Sequence, residues 1–574
     1  MTEMPAALPR MFSFVFYLFW CLLSLVVAVL LAVSAAWKAP AYHVLEFGGA
    51  TMALLCSLLP FFSFGRRLLQ KPFDAVRWLF SGYLRPVLIV SLLTVIAIAL
   101  WPKRYTPAVK PAAKVAVIGG GSAGVHAAWV LYQNGVDFQL FEATDYIGGH
   151  ALAQDFPIGG KKYPIDLGFI FGAPSSYKEF KALIALNGLE RTLSRLSYYA
   201  RVKGTEWATE SPETLSAEAE RFHRLAEAAH DDPSLNLVPF GWWLKWHGFS
   251  DKFRETHLTP MLAILFVSIE GFYEQSTRFI LNMYSGKGKW IDYRNGASSW
   301  VIKGSSREYY KRLTEPFKDR LRLLSPVTRV ERKNGKVIVT WVDSLSQKRS
   351  EEFSSVILAT PADVTRRILD TEWWENWALA QVRYTPVIVE MHGDGSVLPA
   401  EKMRRAFHYI QHTDDPMSFE LVGRMNEVFG YGKLDPEPLI SLNPRQRALK
   451  PIVSRVWRHH TQDLWHIAMM EVFLTQMQGR GNVYYAGDWV KFIGHGFAMR
   501  TGMNAACRIS GIKNAAELKN QPKVGACRDV TVIDARDADD KEEKIRICSA
   551  ADAYRYVTAI SCGDMLPAEQ KIEP

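Results

Sequence analysis

Apolar residues are unevenly distributed along the 574-residue chain, and their pattern divides it into two parts. The first part contains three nearly uncharged apolar stretches, at 11–37, 42–64 and 86–101. After residue 105, short apolar runs alternate with polar segments, which is typical of a globular α/β protein. Because about 20 apolar residues span a bilayer, the first two stretches predict transmembrane helices. The third is shorter and predicts either another span or a buried or re-entrant helix.

The residues that flank these stretches favour a membrane interface. Trp37, Trp101 and Tyr105 stand at their ends, as interfacial aromatic residues do. Basic residues both precede and follow the third stretch, so the charge rule leaves the orientation open. A cleaved signal peptide is the alternative for the first stretch, although that stretch is long for a signal core and more apolar sequence follows. We expect a multi-pass membrane protein and cannot assign its membrane from sequence.

A glycine-rich turn opens the globular part. Residues 114–118 are apolar after the initial lysine and predict a buried parallel strand. Gly119, Gly121 and Gly124 follow as G-x-G-x-x-G, which allows a tight turn, close approach of a pyrophosphate and close packing of the next helix. That helix continues through 125–133, and its N-terminal amides would face a phosphate beside the motif residues Ser122 and Ala123. A second strand ends about 20 residues later in an acidic residue suited to ribose hydroxyls, Glu142.

Charge and cysteine content exclude several other classes of protein. The net charge of +10 is spread along the chain, and its densest basic stretches flank the apolar segments. No nucleic-acid-binding motif accompanies it, so we expect no nucleic-acid partner. Six cysteines occur without a C-x-x-C pair, and their spacing does not decide whether the C-terminal ones form a disulfide. His459, His460 and His466 lack a carboxylate or cysteine that would complete a convincing ligand set, so we expect no metal site.

Further motifs carry a resemblance to a known family. Residues 142–150, ending in Gly148, Gly149 and His150, and the short segment 163–168 resemble the flavin-containing amine oxidase superfamily. Those proteins usually have arginine where this chain has His150. The resemblance implies FAD, bound non-covalently because no cysteine aligns with the attachment site of monoamine oxidases. It also implies that the phosphate-binding loop includes these two glycines and His150.

The C-terminal half of the globular part continues the resemblance. Residues 482–488, which end in Gly487 and Asp488, look like the family's final strand, with Asp488 at the acidic position near the ribityl chain and flavin. Thr501 lies in the glycine-bounded segment 496–502, which resembles the start of the family's last helix. The N-terminus of such a helix stabilises negative charge on the flavin ring. Val327 opens a segment that, like 356–361, resembles a strand returning to the dinucleotide domain.

A closer resemblance covers much of 113–510. Residues 240–249, 303–309 and 440–444 are similar to predicted FAD/NAD-binding proteins that in bacteria often accompany cyclopropane-fatty-acid synthases. This resemblance implies lipid chemistry. The N-terminal apolar segment and the tail after Gly511 depart from that soluble bacterial pattern.

The predicted fold is α/β, with a Rossmann-like FAD-binding domain interleaved with a mixed α+β substrate domain and preceded by transmembrane helices. The membrane segment is placed at 1–105 and the C-terminal tail at 513–574, as an appended element or a partly disordered one. The FAD-binding domain is placed at 111–200, 303–369 and 478–510. The substrate domain is placed at 201–302 and 370–477. Its aromatic residues between 207 and 300 pack a core or line an apolar channel.

These features favour an FAD-dependent oxidoreductase that acts on a lipid or other apolar substrate. Flavin chemistry needs little acid–base machinery from the protein. His495, just before the last helix, is the candidate catalytic residue, as a flavin contact or proton shuttle, and a packed spacer is the alternative. A carotenoid desaturase, an amine oxidase and a non-catalytic FAD-bound scaffold subunit remain competing hypotheses. The sequence does not identify the electron acceptor.

Overall fold

The computed structural model describes residues 113–574 with internal and terminal gaps. The gaps are 175–176, 211–216, 267–270, 286–290, 293–295, 414–417, 446–449, 462, 512–522, 534–541 and 563–574. The predicted membrane stretches at 11–37, 42–64 and 86–101 lie outside the described residues. Within the described part, no helix has both the length and the apolar character needed to cross a bilayer.

Helices and strands are numbered separately in chain order. The helices α1–α15 are Ser122–Gln133, Lys178–Leu186, Ala217–Ala229, Phe240–Trp246, Asp251–Phe253, Thr259–Phe266, Thr277–Tyr284, Ser306–Thr314, Ala362–Ile368, Trp373–Ala380, Met425–Phe429, Leu464–Met469, Thr475–Met477, His495–Ser510 and Ala550–Cys562. The strands β1–β11 are Lys114–Ile118, Asp137–Phe141, Ala153–Ile158, Lys161–Asp166, Arg191–Leu196, Tyr198–Val202, Thr205–Ala208, Ile291–Asp292, Gly296–Ile302, Leu321–Arg322 and Val327–Lys333. The strands β12–β22 are Lys336–Val342, Lys348–Phe353, Ser355–Leu358, Tyr384–His392, Phe407–Gln411, Phe419–Arg424, Leu439–Leu442, Val453–His460, Val483–Tyr485, Lys523–Ile533 and Glu543–Ser549.

A five-stranded parallel sheet lies at the centre of one part of the fold, and its strands come from both ends of the globular region. Its strand order is β10-β2-β1-β14-β20, so the strand before the glycine turn lies at the centre. All four residues of β14 are buried, as expected for a parallel strand covered on both faces. The predicted order of strand, glycine turn, helix and strand is confirmed by β1, α1 and β2.

A three-stranded antiparallel sheet, β11-β12-β13, packs beside the parallel sheet. Val330 and Val339 share a buried cluster with Ile118 and Phe141. Of the two segments expected to return to the dinucleotide domain, 356–361 therefore supplies a strand of the parallel sheet. The segment that begins at Val327 forms β11 in this adjoining sheet instead.

A seven-stranded mixed sheet lies at the centre of the other part of the fold. Its strand order is β19-β15-β18-β17-β16-β6-β7. Only its β16–β6 pair is parallel. One face of its central strands, called here the inner face, packs against helices α3, α4, α6 and α7 in a shared core. Its inner-face residues are Tyr198, Ala200, Val202, Val387, Val389, Met391, Phe407, Tyr409, Phe419, Leu421 and Ile440. None of these side chains carries a charge.

The aromatic run at 240–253 divides between core and surface. Trp243, Phe249 and Phe253 are buried, in agreement with the predicted core packing. Trp242 and Trp246 are instead 71% and 83% exposed, because they project from the opposite side of α4. They therefore neither pack the core nor line an enclosed channel.

The C-terminal segment forms a hairpin and a helix in its described parts. Strands β21 and β22 pair antiparallel, and α15 follows them directly. The ring of Tyr554 lies 6.0 Å from that of Trp129, and its hydroxyl donates to the side-chain oxygen of Asn134 at 3.0 Å. A disulfide between Cys507 and Cys562 links α14 to α15. Of the two alternatives for the tail, the appended element describes these residues.

Candidate functional site

The glycine turn after β1 has the geometry that its sequence predicts. Gly119 has a φ of +106°, and a Cβ atom there would lie 2.5 Å from the carbonyl oxygen of Ala359. A Cβ atom on Gly124 would lie 1.8 Å from the oxygen of Gly119, so only glycine allows α1 to start this close to the strand. Gly121 differs, since its nearest described neighbour would be the Cα of Gly149 at 3.9 Å. The turn therefore leaves room beside Gly121.

Helix α1 begins at this open position. Gly121 is its N-cap residue, and no side chain caps the helix. Ser122 and Ala123 are buried in its first turn. Because the first amides of a helix carry partial positive charge, this end of α1 can bind a phosphate.

Glu142 follows β2 and reaches back to the turn. Its carboxylate accepts hydrogen bonds from the amide of Gly120 at 2.6 Å and from the amide and hydroxyl of Thr144 at 2.8 and 2.9 Å. The predicted ribose-binding carboxylate thus lies at the edge of the glycine turn. A ribose hydroxyl can donate to the lone pairs that these bonds leave unused.

The second glycine loop lies against the first. The amide of Gly148 donates to the oxygen of Gly120 at 2.8 Å, and Gly149 has a φ of +59°. His150 comes next, with its ring centroid 4.7 Å from that of Trp457 and 5.4 Å from that of His459. The protein atoms around the His150 ring desolvate it and lower its pKa, so its imidazole is neutral at neutral pH, although the residue stays exposed at the surface of the site. A neutral ring hydrogen-bonds a phosphate but does not neutralise its charge, unlike the family's arginine.

Asp488 and Thr501 lie on opposite sides of the turn at Gly487. The hydroxyl of Thr501 accepts from the amide of Gly487 and lies 2.9 Å from its carbonyl oxygen, which ties α14 to the turn. The Asp488 carboxylate accepts from the amide of Trp489 at 2.9 Å. Burial alone would raise the pKa of Asp488, but its interaction with His460 outweighs this effect and holds the pKa below its usual value. Asp488 is therefore an ionised acceptor.

Four histidines surround Asp488 and are called here the histidine cluster: His150, His459, His460 and His466. Burial lowers the pKa of His459 to about 3 and that of His466 to about 4. Among the described residues, no group of three or more histidine, cysteine or acidic side chains has the geometry of a metal site.

His495, the first residue of α14, lies in an aromatic environment. Its ring stacks on Phe169 with a centroid distance of 4.1 Å, and Phe180 lies 4.9 Å away. Its Nε2 atom is 2.9 Å from the hydroxyl of Tyr310 and 3.3 Å from that of Ser122. Burial lowers the pKa of His495 well below its usual value. His495 thus joins the starts of α1 and α14, while its predicted role in proton transfer stays a prediction.

Two buried polar groups support this arrangement from behind. His126 donates from Nδ1 to the backbone carbonyl oxygen of Ser122 at 2.7 Å and accepts at Nε2 from the Tyr309 hydroxyl at 2.8 Å. Asp166 accepts from the amide of Ser306 at 3.1 Å and fixes the start of α8. Burial raises the pKa of Asp166 to about 6. Sequence reasoning missed His126 and Tyr310, because their contacts with Tyr309 and His495 join residues 183 and 185 positions apart in the chain.

Comparison with known proteins decides the family. Residues 122–390 match the model for flavin-containing amine oxidoreductases. This part of the chain is therefore a flavin-containing amine oxidoreductase domain. Its amine oxidoreductase domain binds FAD, and the protein is an FAD-dependent oxidoreductase.

Solved structures of two other proteins share the fold. A fatty acid isomerase from P. acnes that produces CLA is 16% identical, with a TM-score of 0.51, over 69% of this chain and 98% of its own. Putrescine oxidase is 14% identical, also with a TM-score of 0.51 and with the same coverage. No curated protein matches the sequence.

The arrangement of the amine oxidoreductase domain fits FAD. The open space at Gly121, the uncapped start of α1 and Glu142 lie at the same turn and are the groups that would hold the diphosphate and a ribose. Asp488 and the start of α14 would hold the other part of the cofactor. They come at least 364 residues after the glycine turn in the sequence. Val327 lies in β11 of the adjoining sheet, half-buried, and its predicted contact with the cofactor stays a prediction.

Proposed function

We propose that this FAD-dependent oxidoreductase is anchored in a membrane and oxidises or desaturates a lipid or other apolar substrate. Bound FAD would supply the hydride acceptor. The chain's own residues would hold the cofactor, exclude water and orient the substrate.

The observation that carries the substrate proposal is the composition of the inner face. Its strand residues are aliphatic or aromatic, and none carries a charge. The buried acids of this sheet, Glu390 and Glu420, alternate with inner-face residues and so belong to the opposite face. Helices cover this face, so it supports the proposal through its chemistry alone. An apolar substrate beside it would leave no unpaired charge, whereas a cationic amine would find no counter-ion among the inner-face residues.

The membrane proposal rests on the apolar stretches at 11–37 and 42–64. Each is long enough to span hydrocarbon, and both precede the FAD-binding domain. An enzyme held at a bilayer meets lipid substrates without first extracting them into water. The similarity to a fatty acid isomerase agrees with this substrate class but, at 16% identity, supports only the fold.

Anaerobic flavin bleaching tests the substrate proposal. The purified holoprotein is mixed with fractions of a lipid extract, and we expect one fraction to bleach the flavin and to yield a product lighter by two hydrogen atoms. The Gly121→Val apoprotein is the control for reactions that do not use the flavin. Bleaching by amines and by no lipid would identify an amine oxidase. A flavin that stays oxidised with every donor would identify a non-catalytic FAD-bound subunit.

A carbonate wash tests the anchor. We expect the full-length chain to stay with membranes through high salt and carbonate, because spanning helices bind more tightly than surface contacts. A chain lacking residues 1–105 is the matched control and should enter the supernatant. Release of the full-length chain by carbonate would show that its association is peripheral.

A further inference from the structure

His460 has an unusual environment in the histidine cluster. It ends strand β19 and is 3% exposed. Both ring nitrogens are buried, and neither has a hydrogen-bond partner among the described residues. The nearest charged group is Asp488, whose Oδ2 lies 3.6 Å from Nδ1 of His460. Because an unsatisfied buried nitrogen is costly, its retention here requires an explanation.

Neighbouring groups determine where the ring protons lie. Nε2 of His466 is 2.8 Å from the carbonyl oxygen of Trp489, so this nitrogen carries the proton. The ring of His466 lies 5.1 Å from that of His460. Nδ1 of His460 is the nitrogen nearest the Asp488 carboxylate, and the negative charge favours a proton on it. A short movement would turn the 3.6 Å contact into a charged hydrogen bond.

We propose that His460 is a positioning residue for FAD, which donates from Nδ1 to Asp488 and orients that carboxylate toward a cofactor hydroxyl. The proposal rests on Asp488 as a cofactor contact and is independent of the substrate proposed above. Contacts of this kind are often long before a ligand binds and shorten in the complex. Trp489 bonds to Asp488 and to a neighbour of His460. Its amide donates to the Asp488 carboxylate, and its carbonyl oxygen accepts from His466.

Two conservative substitutions distinguish hydrogen bonding from packing. His460→Asn places an amide donor near the position of Nδ1, whereas His460→Gln places its donor near Nε2. We expect His460→Gln to raise the dissociation constant for FAD about tenfold or more, the usual effect of losing a charged hydrogen bond. His460→Asn should recover most of the wild-type affinity. Titration of apoprotein with FAD, followed by flavin fluorescence, measures both constants.

A double-mutant cycle tests whether His460 acts through Asp488. In an Asp488→Ala background, the difference between His460→Gln and His460→Asn should disappear, because the acceptor has been removed. His392→Asn is a control on the neighbouring strand β15, where the ring already bonds the Ser441 hydroxyl at 3.0 Å. It should leave the FAD dissociation constant unchanged.

Three results would overturn the proposal. Equal FAD affinity in the Asn and Gln variants would show that His460 only fills space. A difference that persists without Asp488 would show that His460 acts on another group. Wild-type affinity in Asp488→Ala would remove Asp488 from the cofactor site, and with it the positioning role. The substrate assay does not enter any of these measurements, so a failed substrate proposal leaves them interpretable.

Discussion

Gly121 lies opposite Gly149, and a Cβ atom built on Gly121 would still be 3.9 Å from the Cα of Gly149. The reverse substitution has less room, because a Cβ atom on Gly149 would lie 3.0 Å from the Cα of Gly121. Gly149 also has a positive φ, whereas Gly121 has a φ of −75°, which any residue adopts. The protein itself therefore tolerates a side chain at Gly121, and the space beside it serves the ligand.

Gly121→Val should consequently give a folded apoprotein. The new side chain would occupy the place of the FAD diphosphate without a clash inside the protein. We expect native circular dichroism together with a purified protein that has lost its flavin absorbance. Full flavin content in this variant would show that the diphosphate does not bind beside Gly121.

Gly124→Ala is the contrasting substitution in the same turn. Its Cβ atom would lie 1.8 Å from the oxygen of Gly119, so the helix cannot keep its place on the strand. We expect lower thermal stability in addition to loss of FAD. Comparison of the two variants separates a blocked site from a disrupted fold.

His495→Ala should keep FAD but slow its reduction by substrate. A positioned proton-transfer group contributes roughly 10² to 10⁴ in rate. Because the pKa of His495 is lowered, its ring is neutral around neutral pH. A plot of the wild-type rate of flavin reduction against pH should therefore show no inflection from this residue above its usual pKa. Rapid mixing with substrate measures the rate of flavin bleaching. An unchanged rate in the variant would assign His495 to packing against Phe169.

His126 should make the fold sensitive to acid. Burial lowers its pKa to about 4, against about 6.5 in the unfolded chain, so the unfolded state takes up a proton first as the pH falls. The stability contributed by the neutral ring is present above pH 6.5 and declines toward pH 4, by about 3 kcal/mol. We expect His126→Leu to show a shallower loss of stability with falling pH in urea unfolding curves. An equal dependence of the free energy of unfolding on pH in the two proteins would contradict the lowered pKa of His126.

Removal of the disulfide should destabilise the fold. Closing a loop of 55 residues between Cys507 and Cys562 contributes about 4 kcal/mol in a chain-entropy treatment. Cys507→Ser, Cys562→Ser and the double variant should therefore show similar decreases in thermal stability. Mass spectrometry of non-reduced peptides should identify the pair directly. A stable double variant with an unaltered melting curve would argue against the bond in solution.

The sequence predicted the strands and helix around the glycine turn well, because their signals are local. Gly119, Gly121 and Gly124 lie within six residues and each meets a separate steric requirement of the turn. Glu142 could be placed because the distance from the glycines to the end of the second strand is nearly constant in this type of fold. The structure confirms these elements and their order.

The surroundings of Asp488 could not be predicted in the same way. His150 and His459 are more than 300 residues apart, yet their rings lie 5.4 Å from each other. Such a contact depends on how β19 crosses the loop after β2, and no periodicity in either segment encodes that crossing. The exposed Trp242 and Trp246 illustrate the same difficulty, since helical spacing gives the two sides of a helix but not which one is covered.

The parallel sheet joins β1, close to the start of the globular part, to β20, which is completed only at Tyr485. The start of α14, which faces the glycine turn through His495 and Ser122, comes later still. A ribosome that adds about 5–20 residues per second needs roughly 20–75 s to proceed from Gly119 to Thr501. During that interval the first half of the cofactor site exists without the second. We therefore expect FAD capture to follow the synthesis of Thr501, and the nascent chain must protect its apolar strands until then.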